Sequence, residues 1–205
     1  VHTGTEIVKL IDEIKKQIKE FPEKDIKVFV QDGIGKGNAV RNGLAHAKGD
    51  ILMIFDADLT VAPEELPKFY DVLVKGKGEL VMGSRLIYPR EEGTMRFLNL
   101  IGNKFFSIVF TYLLGQRIKD TLCANKALFK RDYMKINATV NFFGNFDPFG
   151  DFDFILGASR HNLKIVEIPV RYIARSYGAT QIRRFNDGWL LLKMCWLAFR
   201  KIKFQ

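Results

Sequence analysis

Apolar residues along this chain follow two patterns, helical stripes and short unbroken runs. Helices are predicted where apolar residues recur every three or four positions: 5–20, 39–47, 94–115, 154–161 and 189–204. Another helix is expected to begin at Pro63. Strands are predicted from short apolar runs: 26–30, 51–55, 79–83 and 163–172. Helices and strands alternate through residue 83, which predicts an α/β fold with a mostly parallel sheet and helices on both faces.

Two carboxylates, Asp56 and Asp58, directly follow the predicted strand 51–55. An unpaired buried charge is costly, and two neighbouring carboxylates repel each other. A divalent cation would resolve both problems, because Mg²⁺ and Mn²⁺ take oxygen ligands and also bind phosphates. The alternative is a pair of solvated acids that begin a turn, and the pair alone does not decide between the two.

A glycine-rich turn at 33–37 precedes the helix predicted over 39–47 and contains Lys36 and Gly37. Free N–H groups at a helix N-terminus, together with Arg41, favour an anion such as a nucleotide phosphate, or a sugar. A flexible turn with a solvated lysine is the alternative. Ligands of parallel sheets bind at the carboxyl ends of the strands, so this turn, the two aspartates and Arg85 are expected at one edge. That convergence favours the metal–phosphate interpretation.

The segment 145–153 places three acids, Asp147, Asp151 and Asp153, among aromatic residues. Acids in apolar surroundings have raised pKa values and suit acid–base work. The alternative is that some of them cap the helix that follows.

The chain has a net charge of +9, which suits an anionic membrane surface or phosphorylated substrates. Lys and Arg show no groove-reading or base-stacking spacing, so we expect no nucleic acid partner. Its two cysteines, Cys123 and Cys195, form neither a disulfide framework nor a metal-ligand pattern and indicate a reducing compartment. No apolar run reaches the roughly 20 residues of a membrane span. The apolar run 105–114 is either a core helix or one that lies at a bilayer interface.

Six segments in order resemble family 2 glycosyltransferases of the GT-A, or nucleotide-diphospho-sugar transferase, fold. The resemblance is to dolichyl- or polyprenyl-phosphate mannose and glucose synthases in particular. The segments are GKGNAVRNGLAHAKGD (35–50), DADLT (56–60), GSR (83–85), KDTLCANKALF (119–129), PFGDFDF (148–154) and IPVRYIARSYGATQI (168–182).

This resemblance implies a metal-dependent, inverting transfer of a hexose from a nucleotide sugar, GDP-mannose or UDP-glucose, to a polyprenyl or dolichyl phosphate. Asp56 and Asp58 would hold Mg²⁺ or Mn²⁺ on the diphosphate of the donor. Lys36, Gly37 and Arg41 would also contact the donor.

On the acceptor side, the resemblance implies Asp153 or Asp151 as the catalytic acid residue. Arg85, Arg96 and Arg175 would pair with phosphate. The domain would span 1–185, and the basic amphipathic helix 186–205 would belong to it or rest on a membrane. The protein would then be peripheral on the cytoplasmic face of that membrane.

The chain also departs from the family. The family begins with a strand, a helix and a second strand that cradle the nucleoside, about 40 residues that we expect this chain to lack. Ala124 and Asn125 stand where relatives tend to carry a small Ser/Gly or Gly/Thr pair, which affects the expected acceptor contacts. The alternative function is therefore an inactive, truncated GT-A domain that binds a membrane or a partner.

Overall fold

A computed structural model describes residues 4–31, 33, 35–88, 97–139, 151–173 and 184–203, with the backbone alone for 4–10, 97–99, 151 and 184–187. The helices are α1 Gly4–Glu20, α2 Lys36–His46, α3 Leu66–Val74, α4 Phe97–Leu114, α5 Lys130–Ala138, α6 Asp151–Arg160 and α7 Arg184–Lys203. A 3₁₀ turn, Pro63–Glu65, leads into α3. The strands are β1 Ile51–Ile54, β2 Leu80–Ser84, β3 Lys126–Phe129 and β4 Ile165–Pro169.

The four strands form one mixed sheet in the order β1-β3-β2-β4. Strand β3 is antiparallel to both β1 and β2, whereas β2 and β4 are parallel. Three strands therefore run in one direction and β3 runs in the other. As a result, the carboxyl ends of β1, β2 and β4 and the beginning of β3 meet at one edge of the sheet.

Side chains alternate along each strand, so both faces of the sheet carry apolar residues. Helices pack against each face and bury them. On one face, Leu80 and Met82 of β2 join a core built with α2, α4, α5, α6 and α7. On the other face, Val81 packs with Phe69 and Leu73 of α3. The predicted α/β fold with helices on both faces is confirmed.

The two cysteines lie one in each core. Cys123 and Cys195 are free and buried. Burial raises the pKa of each thiol to about 11, so both are protonated at neutral pH.

The strand predicted over 26–30 is wrong, because this segment lies along α2 and joins no strand of the described sheet. The Phe29 ring stacks on His46 with centroids 4.1 Å apart, and the Asn42 side chain donates to the Val30 carbonyl over 3.3 Å. These contacts with α2 replace the cross-strand hydrogen bonds that a strand would need.

Other elements also differ from the sequence prediction: α6 begins three residues before the predicted 154, and α7 begins five residues before the predicted 189. Helix α2 begins at Lys36, three residues before the predicted 39, so Lys36 and Gly37 form its first turn. Gly35 precedes them with φ of 90°, a left-handed conformation that favours glycine. Helix α5 was not predicted, because its buried residues are few among charged ones.

Helix α7 packs against α4 on the face of the sheet that carries most helices. Its buried side chains, Leu191, Met194 and Ala198, belong to the same core as Phe110 of α4. Within the described ranges, no helix combines the length and hydropathy needed to cross a bilayer.

Candidate active site

Charged and polar side chains from separate segments meet at the edge where β1, β2 and β4 end. The first group joins α2 to the loop after β1. Lys36 lies in the first turn of α2, and its Nζ is 2.8 Å from Asp56 Oδ1. Both side chains keep over a third of their surface exposed, so the pair faces solvent and is accessible to a ligand. The helix therefore places a cation directly against the first aspartate.

The second aspartate stabilises the loop in which it lies. Asp58 Oδ1 accepts hydrogen bonds from the Thr60 backbone N–H at 3.2 Å and the Thr60 hydroxyl at 2.9 Å. Such a side-chain turn is typical of aspartate. The Thr60 carbonyl in turn accepts from the Ile173 N–H at 3.0 Å, which links this loop to the chain beyond β4. Asp58 thus has a defined position relative to Asp56.

A third contact joins α2 to α6. Arg41 Nη1 lies 3.0 Å from Asp153 Oδ2, and both side chains are mostly buried. The two residues are 112 positions apart in sequence. The carboxylate implied as catalytic is thereby held beside the same helix that carries Lys36.

A largely buried ion pair at this edge joins Arg85 to Asp120. Arg85 Nε and Nη2 each donate to Asp120 over 2.8 Å, and the Arg85 backbone N–H donates over 3.0 Å. Asp120 is fully buried. Burial alone would raise the pKa of Asp120, but the charge and hydrogen bonds of Arg85 outweigh it, so this pKa lies below its ordinary value. The carboxylate is therefore ionised at neutral pH.

Neighbouring side chains complete the polar surroundings of this pair. Asn103 donates to Asp120 Oδ1 over 2.8 Å from helix α4. Glu167 of β4 accepts from the backbone N–H groups of Lys119 and Asp120 at 2.8 and 2.7 Å. Burial raises the pKa of Glu167, and those two N–H groups oppose that rise. The loop before β3 is thus fixed to α4, β2 and β4.

The family model described as glycosyl transferase family 2 matches this chain over residues 9–136, more than half of its length. The chain belongs to glycosyl transferase family 2. The match contains the Lys36–Asp56 pair, Asp58 and the Arg85–Asp120 pair, and ends within α5.

Curated relatives of this family 2 chain come from Haloferax volcanii and Methanococcus voltae, among other organisms. The glycosyltransferase AglJ of Haloferax volcanii is 27% identical over 166 residues, which cover 80% of this chain and 52% of AglJ. The UDP-N-acetylglucosamine–dolichyl-phosphate N-acetylglucosaminyltransferase of Methanococcus voltae is 27% identical, over 83% of this chain and 70% of the enzyme. The dolichyl-phosphate hexose transferase of Haloferax volcanii is 27% identical, over 79% of this chain and 67% of that enzyme. The chain spans only part of the length of its relatives. It covers 52% of AglJ and 38% of Agl6, the low-salt glycan biosynthesis hexosyltransferase of Haloferax volcanii.

Solved structures establish the fold of this family 2 chain. The glucosyl-3-phosphoglycerate synthase of Mycobacterium tuberculosis, solved with Mn²⁺, UDP and glucosyl-3-phosphoglycerate, superimposes with a TM-score of 0.55 at 16% identity. The superposition covers 91% of this chain and 59% of the synthase. The expected GT-A fold is confirmed.

Asp56 and Asp58 of this family 2 site carry carboxylate oxygens, the ligand type that Mg²⁺ and Mn²⁺ take. The Lys36 ammonium lies 2.8 Å from Asp56 Oδ1, so a cation bound by this oxygen would have to displace it. Across the described ranges, no three His, Cys, Asp or Glu side chains converge. The oxygen atoms of a diphosphate would therefore have to complete the coordination of Mg²⁺ or Mn²⁺ at Asp56 and Asp58.

The remaining predicted residues of the site stand as follows. Gly37 is buried in the first turn of α2, next to Lys36. Arg96 and Arg175 lie outside the described residues, as does the side chain of Asp151. Arg85 makes its close contacts with Asp120, and its predicted role toward phosphate stays a prediction.

Sequence reasoning missed Asp120 as a site residue and considered Asn125 only for acceptor contacts, not for its contact with Asp56. Asp120 is the fully buried partner of Arg85, and Asn125 Oδ1 accepts a hydrogen bond from the Asp56 N–H over 3.2 Å. Both lie in the loop before β3, which carries no hydrophobic period. The only signal was the motif KDTLCANKALF, in which both residues occur.

Proposed function

We propose that this chain is the catalytic domain of a metal-dependent, inverting hexosyltransferase that uses a nucleotide sugar as donor and a polyprenyl or dolichyl phosphate as acceptor. The observation that carries the proposal is the pair formed by Lys36 and Asp56 beside Asp58, with Nζ and Oδ1 2.8 Å apart. A cation and two carboxylates at one sheet edge suit a diphosphate and its metal. GDP-mannose or UDP-glucose is the proposed donor.

The donor side of the reaction needs charge to be neutralised as the nucleoside diphosphate leaves. A divalent metal held by Asp56 and Asp58 would act as the Lewis acid for this leaving group. Lys36 would add a positive charge at the same place, and the N-terminus of α2 contributes N–H groups and its dipole. The Mn²⁺ and UDP in the synthase of the same fold support this assignment.

The acceptor side needs an oxygen atom placed on the opposite face of the sugar. A phosphate oxygen would form a bond to the anomeric carbon while the bond from that carbon to the leaving diphosphate breaks, which inverts the configuration. A lipid phosphate is already ionised, so a strong general base is not required. Asp153, or Asp151 beside it, would then orient the acceptor, and Arg85, Arg96 and Arg175 would balance its charge. Relatives named for dolichyl phosphate support this acceptor.

A polyprenyl acceptor implies contact with a membrane, and the paired helices α4 and α7 offer a matching surface. Their exposed side chains include Ile108, Tyr112 and Trp196, which are 67%, 65% and 63% exposed. A groove of about 450 Å³ between the two helices is lined by apolar side chains, Leu192 among them. Aromatic residues with one polar end are favoured at the membrane–water interface.

The charge on this surface fits an anionic bilayer. Helix α4 contains no acidic residue, and α7 ends with Arg200, Lys201 and Lys203 in its last turn. Lys203 Nζ lies 5.0 Å from the centre of the Tyr112 ring, so one cation borders the apolar groove directly. We therefore assign the α4–α7 face to the cytoplasmic surface of a membrane, on which the protein would be peripheral.

Calorimetric titration of GDP-mannose, UDP-glucose and UDP-N-acetylglucosamine, each with and without Mn²⁺, tests the donor site. We expect one donor to bind only when Mn²⁺ is present. Asp58→Asn should abolish this metal-dependent heat, because it removes a charged oxygen ligand. Asp71→Asn is the matched control, since Asp71 is an exposed aspartate that pairs with Lys75 on α3.

The donor that binds is then incubated with dolichyl phosphate vesicles to measure transfer. Mn²⁺-dependent transfer that is lost in Asp58→Asn and kept in Asp71→Asn would support the whole proposal. Binding of no donor under either condition would overturn it for this chain and favour the alternative, a membrane- or partner-binding module.

A further inference from the structure

We propose that Asn125 is a positioning residue that holds the Asp56–Asp58 loop in the geometry required to bind a metal and a nucleoside diphosphate. This inference rests on the proposed function of that loop. It concerns a residue that lies opposite the loop, directly before β3, and that the donor site does not itself require as a ligand.

Asn125 lies directly before β3, in the middle of the sheet. The β1–β3 pairing ends at Ile54 opposite Lys126, and the β2–β3 pairing ends at Met82 opposite the same lysine. Continuing both registers by one residue places Asn125 opposite Phe55 on one side and Gly83 on the other. Asn125 therefore stands between the two chain segments that enter the site.

The backbone carbonyl and the side-chain oxygen of Asn125 accept hydrogen bonds from two different chain segments. Its backbone carbonyl accepts from the Gly83 N–H over 3.0 Å. Its side-chain Oδ1 accepts from the Asp56 N–H over 3.2 Å, beyond the last pair of the β1–β3 ladder. Because the partner is an N–H donor, the atom that faces Asp56 is the carboxamide oxygen. The side chain thus supplies the acceptor that strand pairing no longer provides.

Burial makes this contact specific. Asn125 is 4% exposed, and a buried carboxamide is stable only where its hydrogen bonds are satisfied. The backbone at Asp56 is therefore tied to the rigid centre of the sheet, while the Asp56 carboxylate stays accessible beside Lys36. Groups that orient metal ligands from behind typically change metal affinity by about 10- to 100-fold when they are removed.

Two variants at Asn125 and one control separate positioning from general stability. Asn125→Ala removes the acceptor, whereas Asn125→Asp keeps an oxygen atom at the same place. Gln116→Ala is the matched control. Its carboxamide donates to the Leu163 carbonyl over 2.9 Å and accepts from the Ile165 N–H over 2.8 Å, at the opposite edge of the sheet.

Hydrogen exchange of the Asp56 amide, measured by NMR without any ligand, gives the first readout. We expect about fivefold faster exchange in Asn125→Ala, which corresponds to the loss of one hydrogen bond. Asn125→Asp keeps the acceptor and should exchange more slowly than Asn125→Ala, and Gln116→Ala should exchange at the wild-type rate. Equal Asp56 exchange in wild type and Asn125→Ala would overturn the positioning role.

Titration of GDP or UDP in the presence of Mn²⁺ gives the second readout. Asn125→Ala should bind about tenfold more weakly than wild type, whereas Gln116→Ala should bind normally even if it unfolds more easily. Faster exchange with unchanged binding would also overturn the inference, since Asn125 would then be structural only. If the wild-type chain binds no nucleotide, the proposed function fails. Faster Asp56 exchange in Asn125→Ala would then still show that Asn125 holds this loop, so the two failures are distinguishable.

Discussion

At the scale of single residues, the buried pair of Arg85 and Asp120 connects the end of β2 to the loop before β3. Its five short contacts include two from the Arg85 guanidinium, one from the Arg85 backbone and one from Asn103; the fifth is from the Leu122 N–H. Removing one partner of a buried pair leaves an uncompensated charge, which is more harmful than removing both. The pair therefore fixes the ends of β2 and of the loop before β3 relative to each other.

Asp120→Asn should lower the free energy of unfolding at pH 7 by about 3–5 kcal/mol, because Arg85 would stay buried without a counter-charge. The pKa of Asp120 is lower in the folded chain than its ordinary value of 3.8. The stability from this carboxylate is therefore present above about pH 4 and is lost as the pH falls through the folded pKa. Urea unfolding at several pH values measures both effects.

Asp120→Asn should therefore lose part of the pH dependence of the free energy of unfolding that wild type shows below about pH 4. Asp71→Asn is the control, because the exposed pair of Asp71 and Lys75 contributes no more than about 0.5 kcal/mol to the free energy of unfolding. An Asp120→Asn protein as stable as wild type at pH 7 would contradict the prediction.

Gly83→Ala should destabilise the chain at the end of β2, by about 1–3 kcal/mol. A Cβ at this position would lie 2.8 Å from Cys123 Sγ and 3.3 Å from Val170 Cγ2, closer than atoms normally approach. The second change Cys123→Ala should restore part of the lost free energy, because it removes the nearest atom. Urea unfolding of the two single variants and the double variant measures this coupling.

Gly43→Ala serves as the control for that series. A Cβ there meets no atom within 4 Å, and the position lies inside α2. Alanine should therefore raise the free energy of unfolding by up to about 1 kcal/mol. Additive effects in the Gly83–Cys123 double variant would show that the predicted contact does not control stability.

The sequence alone located Asp56 and Asp58 but not the residues that hold them. An acidic pair after an apolar strand is visible in one dimension, and so is a lysine in a glycine-rich turn. Asp120 and Asn125 become site residues only because β3 runs against its neighbours and brings its beginning to the same edge. No local period predicts that reversal. Nor does local sequence show that Arg41 meets Asp153, 112 positions away.

At the scale of elements, the spacing of apolar residues predicted most helices, but one apolar run, 26–30, was wrongly predicted to be a strand. The run 26–30 has β-forming residues, but a strand also requires a neighbour, and here Phe29 and Val30 contact α2. Helix α5, by contrast, is present but was not predicted. Most of its residues are charged or polar, so its two buried apolar side chains, Tyr133 and Ile136, form no recognisable apolar period.

The α4–α7 face should determine binding to vesicles. Trp196→Ala should weaken binding to anionic vesicles by about tenfold or more, since inserting an aromatic side chain into an apolar phase contributes roughly 1.5–3 kcal/mol. Tyr70→Ala is the control, because Tyr70 is exposed on α3, on the other face of the sheet. Vesicle co-sedimentation measures both variants. An equal loss in the two would place the membrane contact elsewhere.

At the scale of the whole molecule, the net charge of +9 should control association with membranes. Raising NaCl from about 0.05 M to about 0.5 M shortens the screening length and should weaken binding to vesicles rich in phosphatidylserine. Vesicles of phosphatidylcholine alone should bind weakly at both salt concentrations. Salt-independent binding to the anionic vesicles would indicate that apolar insertion dominates instead.

The candidate site and the turn that precedes β2 lie at opposite edges of the sheet. All the contacts of the candidate site lie at one edge, while the turn at Gly76 lies at the other, where β2 begins. Gly76 is exposed, has a φ of 63° and has open space where a side chain would project. The neighbouring Lys77 is exposed as well. A cysteine introduced at Lys77 would therefore accept a fluorophore or a surface linker, so that the protein could be immobilised with its ligand-facing edge directed into solution.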